Sequence, residues 1–235
     1  MKKILLVQLR NNKKIAEQEF RCFRDALASV GADIERINLH DKKINLDELS
    51  KYGSVIVGGS HYSIHDLFPQ KKDLIELIRR VIDAKIPFLG VCFGFEMLVA
   101  VCGGRVIHDA HNSEFGTYFV NLTKAGRGDK IFYDFPQKFY VQQGHEWRAD
   151  RLPSNMEVLA VGDRVKYQAV KLKKAPIYGV QFHPELNKKD MIYRMRIYNK
   201  ETKSYRFSQE QFNKLKNSPF GKRILVNFAE VALID

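Results

Sequence analysis

The sequence has 235 residues, of which 45% are apolar, and a formal charge of +12 at pH 7. This length fits one α/β domain, and the apolar fraction argues against a disordered chain. No apolar run reaches the roughly 18 residues of a membrane span, and three cysteines do not suggest a disulfide framework, so we expect a cytoplasmic protein. The charge can attract anionic substrates, nucleic acid or an acidic partner, but it does not indicate a fold.

Apolar runs alternate with amphipathic stretches through the first hundred residues. This β-α alternation predicts a mostly parallel sheet with helices on both faces. Strands are predicted at 3–9, 33–39, 54–58 and 87–91, and helices at 16–30, 71–84 and 96–102.

The second half of the chain has short strands with few helices between them, which predicts an antiparallel extension. A last helix at 222–232 closes the chain. The short strands are predicted at 115–122, 138–143, 158–161, 167–171 and 177–182.

Residues 90–94 read GVCFG, directly after an apolar strand. A strand that turns abruptly into a helix needs small neighbours, which Gly90 and Gly94 supply. The pattern predicts a nucleophile elbow with Cys92 exposed at the turn. Its sulfur would lie at the N-terminus of the next helix, whose dipole favours a thiolate, and the N–H of Phe93 would point into the same space. A small buried cysteine at a strand end is the alternative.

A thiolate nucleophile needs a base, and the base needs an orienting group. Residues 179–185 read GVQFHPE, so a strand delivers His183 at its end. Glu185 could bind one ring nitrogen and leave the other for Cys92.

A glycine pair, Gly58-Gly59, follows the apolar strand SVIV. Such glycines let a backbone N–H approach a reacting carbonyl, and together with the N–H of Phe93 they could form an oxyanion hole. An ordinary turn between strand and loop would also explain the pair.

Together these three segments resemble the class I glutamine amidotransferases, over about residues 3–187 and again at 221–230. The resemblance implies one flavodoxin-like α/β domain over residues 1–235. Within the family, APIYGVQFHPE and the stretch from His145 to LPSNMEVLAVGD look most like the glutaminase subunit of GMP synthetase. Further matches are GGRV at 103–106, SEFG at 113–116, and QQGHEW followed by LP at 142–153.

The resemblance implies a role for each matching residue. Cys92 would attack the side-chain amide carbon of glutamine. His183, held by Glu185, would give a proton to the departing ammonia and then activate water against the thioester. The N–H groups of Gly59 and Phe93 would stabilise the oxyanion.

The amino-acid end of glutamine would be recognised, largely through backbone, by Gly144, Glu146 and Trp147. After the elbow the sequence departs from the family, because Phe95 and Glu96 stand where His-Gln is usual. Glu96 can accept a hydrogen bond from the α-ammonium group, although it cannot donate one when ionised. We expect it to contact the substrate. The alternatives are a solvated helix residue, a different substrate or a lost function.

Several histidines lie outside these motifs. His61 and His65, with Asp66 nearby, could suggest a metal site, but the spacing is weak evidence, and we expect neither a metal nor a cofactor. His108 and His111 are predicted to be surface loop residues.

Residues 188–219 are the largest departure from the family, which joins its HPE turn to the last helix in fewer than ten residues. Nine Lys or Arg stand against three acids, a net of +6, and three tyrosines lie among them. This basic segment could be a solvated helical hairpin, a flexible loop, a docking surface for a synthase, a lid over Cys92, or a contact for nucleotide or RNA.

We therefore predict a glutaminase that hydrolyses L-glutamine through a cysteine thioester. The sequence contains no G-x-x-x-x-G-K-[ST] loop and no synthase-sized second domain. We expect the ammonia to pass to a separate ATP-dependent synthase, such as GMP synthetase, and we expect no membrane or nucleic acid partner. The alternatives are a free-standing γ-glutamyl hydrolase or peptidase and a regulatory binding module without catalysis.

Overall fold

The protein is described here by a computed structural model, which covers residues 3–202 and 205–234. Five parallel strands form half of its main sheet, in the spatial order second, first, third, fourth and last along the chain. They are β1 (Lys3–Leu9), β2 (Ile34–Asn38), β3 (Tyr52–Ser60), β4 (Phe88–Val91) and β11 (Ile177–Val180).

Helices cover both faces of these strands, because successive side chains of a buried strand point to opposite faces. In β1, Leu5 and Val7 belong to one apolar core, whereas Ile4 and Leu6 belong to the other. The first core includes residues of α2 (Lys71–Asp83) and α3 (Phe93–Val101), and the second includes residues of α1 (Lys13–Leu27) and α7 (Gly221–Ile234).

Four antiparallel strands continue the same sheet beyond β11. Their spatial order is β10-β9-β6-β7, and an isolated bridge between Gln142 and His183 brings β7 back towards the end of β11. The antiparallel half therefore bends round to the carboxyl edge of the parallel half. The strands are β6 (Glu114–Leu122), β7 (Lys138–His145), β9 (Met156–Gly162) and β10 (Ala169–Leu172).

The predicted fold class, a mostly parallel sheet between helices with an antiparallel extension, is confirmed. Two elements were not predicted, namely β5 (Arg105–His108) and β8 (Trp147–Arg151), which pair with each other as a separate antiparallel ribbon. A short helix, α4 (Lys124–Gly128), was also missed. No helix in the described part of the chain is both long and apolar enough to cross a membrane.

The basic segment 188–219 forms two helices, α5 (Lys188–Glu201) and α6 (Gln209–Lys214). One face of the segment is buried, so it is neither a fully solvated hairpin nor a loose loop. Its Lys203 lies outside the described residues. A third apolar cluster joins the segment to the rest of the protein and contains Cys22, Leu186, Met191, Met195, Phe207 and Leu215.

Candidate active site

Three of the predicted site residues lie at the ends of three neighbouring strands. Gly59 is the penultimate residue of β3, Cys92 follows β4, and His183 lies three residues beyond β11. Because β3, β4 and β11 are adjacent and parallel, their carboxyl ends meet at one edge of the sheet, where ligands bind in open α/β folds.

The turn at Cys92 has the strained backbone predicted for an elbow. Its φ is +52° and its ψ is −104°, a region that costs a non-glycine residue on the order of 1–3 kcal/mol. The two flanking glycines allow the close contact: a Cβ on Gly90 would lie 2.5 Å from the backbone of Gly94, and a Cβ on Gly94 would lie 2.2 Å from the carbonyl oxygen of Val57.

The prediction that Cys92 is exposed is wrong, because the residue is only 5% exposed. Burial, followed by the nearby charge of Glu96, raises the pKa of the Cys92 thiol, whereas Arg10 and the N–H of Phe93 act in the opposite direction. Burial outweighs the helix terminus that the sequence suggested would favour a thiolate. The resting residue is therefore a neutral thiol that needs a base.

His183 and Glu185 form a buried pair. Nδ1 of His183 lies 2.9 Å from Oε1 of Glu185, and the backbone N–H of His183 donates to the carbonyl oxygen of Gln142 at 2.8 Å. Burial opposes ionisation of Glu185, but His183 and Arg194 outweigh it and lower its pKa to about 2. Burial also lowers the pKa of His183, an effect that Glu185 opposes.

Gly144 is the residue that Cys92 and His183 both approach. The thiol of Cys92 points to the carbonyl oxygen of Gly144, with the sulfur 4.0 Å away. A Cβ on Gly144 would lie 3.7 Å from Nε2 of His183. With Nδ1 directed at Glu185, the second ring nitrogen of His183 therefore lies on the same side as the sulfur.

The predicted oxyanion donors also lie at this edge. A Cβ on Gly59 would lie 2.9 Å from Cε1 of His183 and 2.6 Å from Nη2 of Arg10, so only glycine fits. The N–H of Phe93 is close enough to the sulfur of Cys92 to stabilise a negative charge there.

The predicted substrate contact Glu96 is 3% exposed, so the alternative of a solvated helix residue is wrong. Its Oε1 accepts a hydrogen bond from Nε2 of Gln181 at 3.0 Å. Burial raises the pKa of Glu96 to about 7, although Gln181 opposes the shift. Near neutral pH the side chain is thus poised between its protonated and ionised forms.

The side chains of Glu146 and Trp147 meet histidines of the surface loops. Oε2 of Glu146 lies 3.4 Å from Nε2 of His108, and the Trp147 ring lies 5.0 Å from His65 and 5.1 Å from His108. His108 and His111 are exposed, as predicted. Among the described residues, no group of three His, Cys, Asp or Glu side chains could hold a metal ion.

Two buried arginines near His183 were not predicted. Arg10, after β1, donates to Oε1 of Glu19 at 2.5 Å. Arg194, on α5, donates to Oε1 of Glu185 at 3.1 Å. In the sequence each resembles a solvated surface arginine, and no motif marks it, because its partner becomes a neighbour only after the helices have packed.

The basic segment covers His183. A cavity of about 30 Å³ beside the ring is lined partly by residues after β3 and partly by the segment. A cavity of this size holds water rather than an amino acid. The segment residues that line it are Met191, Arg194, Met195, Tyr198, Tyr205 and Phe207.

Comparisons with known proteins agree with this architecture. Residues 18–196 match the model of the family described as glutamine amidotransferase class-I. One component of the glutamine-hydrolyzing GMP synthase of Saccharolobus solfataricus is 33% identical over 157 residues, which are 67% of this chain and 78% of that protein. A glutamine-hydrolyzing GMP synthase from Staphylococcus saprophyticus is 28% identical over 150 residues, or 63% of this chain, but the chain spans only 27% of its length.

Two solved structures share the fold. A glutamine amidotransferase from Thermotoga maritima has a TM-score of 0.83 at 21% identity and covers all of both chains. A glutamine amido transferase from Methylobacillus flagellatus has a TM-score of 0.79 at 15% identity and covers 98% of this chain and 95% of that one. The family match extends over more than half of the sequence, so the chain belongs to the class I glutamine amidotransferases.

Proposed function

We propose that this class I glutamine amidotransferase chain hydrolyses L-glutamine to glutamate and ammonia through a thioester on Cys92. The observation that carries the proposal is the convergence of two groups on Gly144. One is the thiol of Cys92, 4.0 Å from the carbonyl oxygen of Gly144, and the other is Nε2 of His183, whose Nδ1 is held by Glu185.

The resting pair consists of a neutral thiol and a neutral imidazole, because burial raises the pKa of Cys92 and lowers that of His183. When glutamine enters, Nε2 of His183 takes the thiol proton as the sulfur attacks the amide carbon. The N–H groups of Gly59 and Phe93 stabilise the negative charge that develops on the amide oxygen.

The tetrahedral intermediate then collapses. The imidazolium of His183 gives its proton to the leaving nitrogen, ammonia departs, and a glutamyl thioester remains on Cys92. His183 next takes a proton from water, which attacks the thioester, and the released thiolate regains that proton. Glu185 remains ionised throughout and orients the ring.

We propose Glu96, with Gly144 and the neighbouring Glu146 and Trp147, as the group that recognises the amino-acid end of glutamine. Support comes from the position of Glu96 one helical turn after Cys92 and from its burial next to Gln181. An ionised carboxylate in this position would pair with the substrate's α-ammonium group.

We propose that the ammonia passes to a separate ATP-dependent synthase, which the names of the relatives suggest is a GMP synthase. The outer face of the basic segment offers a docking site, because an open groove of about 770 Å³ lies between α5 and α6. Lys188, Arg196 and Lys200 line it around Phe212, and none of the described lining residues is acidic. Such a groove fits an acidic partner surface.

The test is the release of ammonia and glutamate from L-glutamine by the purified chain and by two cysteine variants. Cys92→Ala should abolish release. Cys102→Ala, at the far end of α3, should retain it, because Cys102 packs against the core and not against the site. An active Cys92→Ala variant would contradict the proposal.

One observation favours γ-glutamyl hydrolysis as a second candidate. A pocket of about 400 Å³ adjoins the cavity at His183 and shares His61, Tyr198 and Tyr205 with it. A leaving group larger than ammonia could occupy this space. A chromogenic γ-glutamyl anilide that is cleaved faster than glutamine without any partner would favour this candidate over the amidotransferase.

A further inference from the structure

Arg194 connects the basic segment to the proposed catalytic residues. Its Nη1 donates to Oε1 of Glu185 at 3.1 Å, and the same oxygen lies 2.9 Å from Nδ1 of His183. Nη1 itself is 3.4 Å from that ring nitrogen. One carboxylate oxygen is therefore shared by the imidazole and by a guanidinium from the helix that covers the site.

The position of Arg194 is fixed from the opposite side. Its Nε donates to Oε1 of Gln18 at 2.8 Å, and Nε2 of Gln18 donates to the carbonyl oxygen of Asp190 at 2.7 Å. Both Gln18 and Arg194 are 3% exposed. Helix α1 thus holds α5 and its arginine in register with Glu185.

A contribution to stability alone explains this arrangement poorly. A buried ion pair contributes little net stability, because both charges lose their water. In addition, Nη2 of Arg194 has no hydrogen-bond partner within the described residues, which adds a further cost. A buried charge at this place is better explained by its effect on Glu185 and His183.

We propose that Arg194 is a positioning residue of the reaction: from the covering helix it keeps Glu185 ionised and oriented, so that His183 is a neutral base with its Nε2 free towards Cys92. The inference rests on the proposed glutaminase chemistry. It also makes the basicity of His183 depend on the segment, because any movement of α5 away from the site would withdraw the guanidinium.

The direction of the effect follows from the charges around the ring. Among the groups that act on His183, Glu185 favours the imidazolium, whereas Arg194 and Arg10 disfavour it. Arg10 is paired with Glu19, so Arg194 is the cation that acts through Glu185. The other titratable groups near the ring are Cys92 beyond Gly144 and, around the cavity, His61, Tyr198 and Tyr205.

Arg194→Gln removes the charge and keeps a hydrogen-bonding side chain. We expect kcat to fall by roughly tenfold or more with a smaller change in KM. The acid limb of the pH profile of kcat should move to higher pH by about one unit, the lower end of the effect of a charge at this distance. Arg194→Lys should restore part of the shift. Lys189→Gln, an exposed neighbour on the same helix, should match the parent.

The titration of His183, measured by NMR on ¹⁵N-labelled protein, gives a readout independent of turnover. The resonance is assigned with His183→Gln, and its pKa should be higher in Arg194→Gln than in the parent and intermediate in Arg194→Lys. If Arg194→Gln does not fold, the Lys variant alone must still show an upward shift. An unchanged titration in every folded Arg194 variant would overturn the inference. A parent that titrates as expected but releases no ammonia would instead contradict the proposed function.

Discussion

Gly59 and His183 are packed so closely that a Cβ at residue 59 would lie 2.9 Å from Cε1 of the imidazole. Real Cβ atoms essentially never approach this close, and the same Cβ would lie 2.6 Å from Nη2 of Arg10. The glycine that is proposed to supply an oxyanion donor thus also makes room for the base, so one small residue sets the position of both groups.

Gly59→Ala should consequently reduce kcat by about 10²-fold or more, through displacement of the His183 ring and of an oxyanion donor. Far-ultraviolet circular dichroism should remain that of the parent, since the clash lies at the end of a strand. Gly128→Ala is the matched control, because nothing lies within 4 Å of a Cβ there. Equal activity in Gly59→Ala and Gly128→Ala would contradict the assignment.

The pH dependence of ammonia release should report the environment of His183. Burial lowers the pKa of this imidazole, so the neutral base persists to more acidic pH than for an exposed histidine, whose pKa is about 6.5. The acid limb of kcat/KM should therefore have its midpoint below pH 6.5. A midpoint at or above that value would show that Glu185 dominates over burial.

Glu96→Gln should stabilise the fold at neutral and alkaline pH. The folded-state pKa of Glu96 is raised to about 7, so burial of the ionised form destabilises the parent progressively as pH rises from about 4.5 to 7. Above pH 7 the variant should gain on the order of 2–3 kcal/mol in free energy of unfolding, and below pH 4.5 the difference should vanish. Urea unfolding at pH 4 and pH 8 measures both values.

The same position tests substrate recognition. Glu96→Ala should raise KM for glutamine by the equivalent of about 1–3 kcal/mol, whereas Glu96→Gln should retain glutamine use. If the Ala variant and the parent have the same KM, Glu96 is not part of the substrate site, even though it is buried beside it.

Neutralising the groove should separate docking from hydrolysis. In a variant with Lys188→Gln, Arg196→Gln and Lys200→Gln, partner-free hydrolysis should equal that of the parent, because these side chains line the outer groove. Ammonia transfer to the synthase should fall and lose much of its salt dependence. Lys189→Gln is the single-site control, and a triple variant with unchanged transfer would exclude the groove as a docking site.

Deleting the whole segment would be a less specific test. It would remove Arg194 from Glu185 and uncover the apolar cluster around Leu186 and Cys22. The shortened chain would thus lose stability and alter the site at once.

Much of the fold could be predicted because its determinants are local. β1 was predicted with the bounds that it has, Lys3–Leu9, since a continuous apolar run is typical of a buried parallel strand. β5 and β8 were missed because they are four and five residues long, carry charged residues, and depend on each other across forty residues of chain.

The site was predictable to the same extent. Cys92, His183 and Gly59 each lie at a strand end in a local motif, and the order of the strands brings them together. The burial of Cys92 and the role of Arg194 could not be predicted, because both result from packing with elements far away in the sequence. Arg194 was counted only as one charge of a basic segment, yet it is 3% exposed.

Covalent labelling of Cys92 tests the central claim most directly. The chain is incubated with an electrophilic diazoketone analogue of glutamine, with and without excess L-glutamine, and the modified peptides are mapped by mass spectrometry. We expect one adduct, on Cys92, which glutamine suppresses, while Cys22 and Cys102 remain unmodified. Absence of an adduct on Cys92, or labelling of all three cysteines regardless of glutamine, would contradict the account.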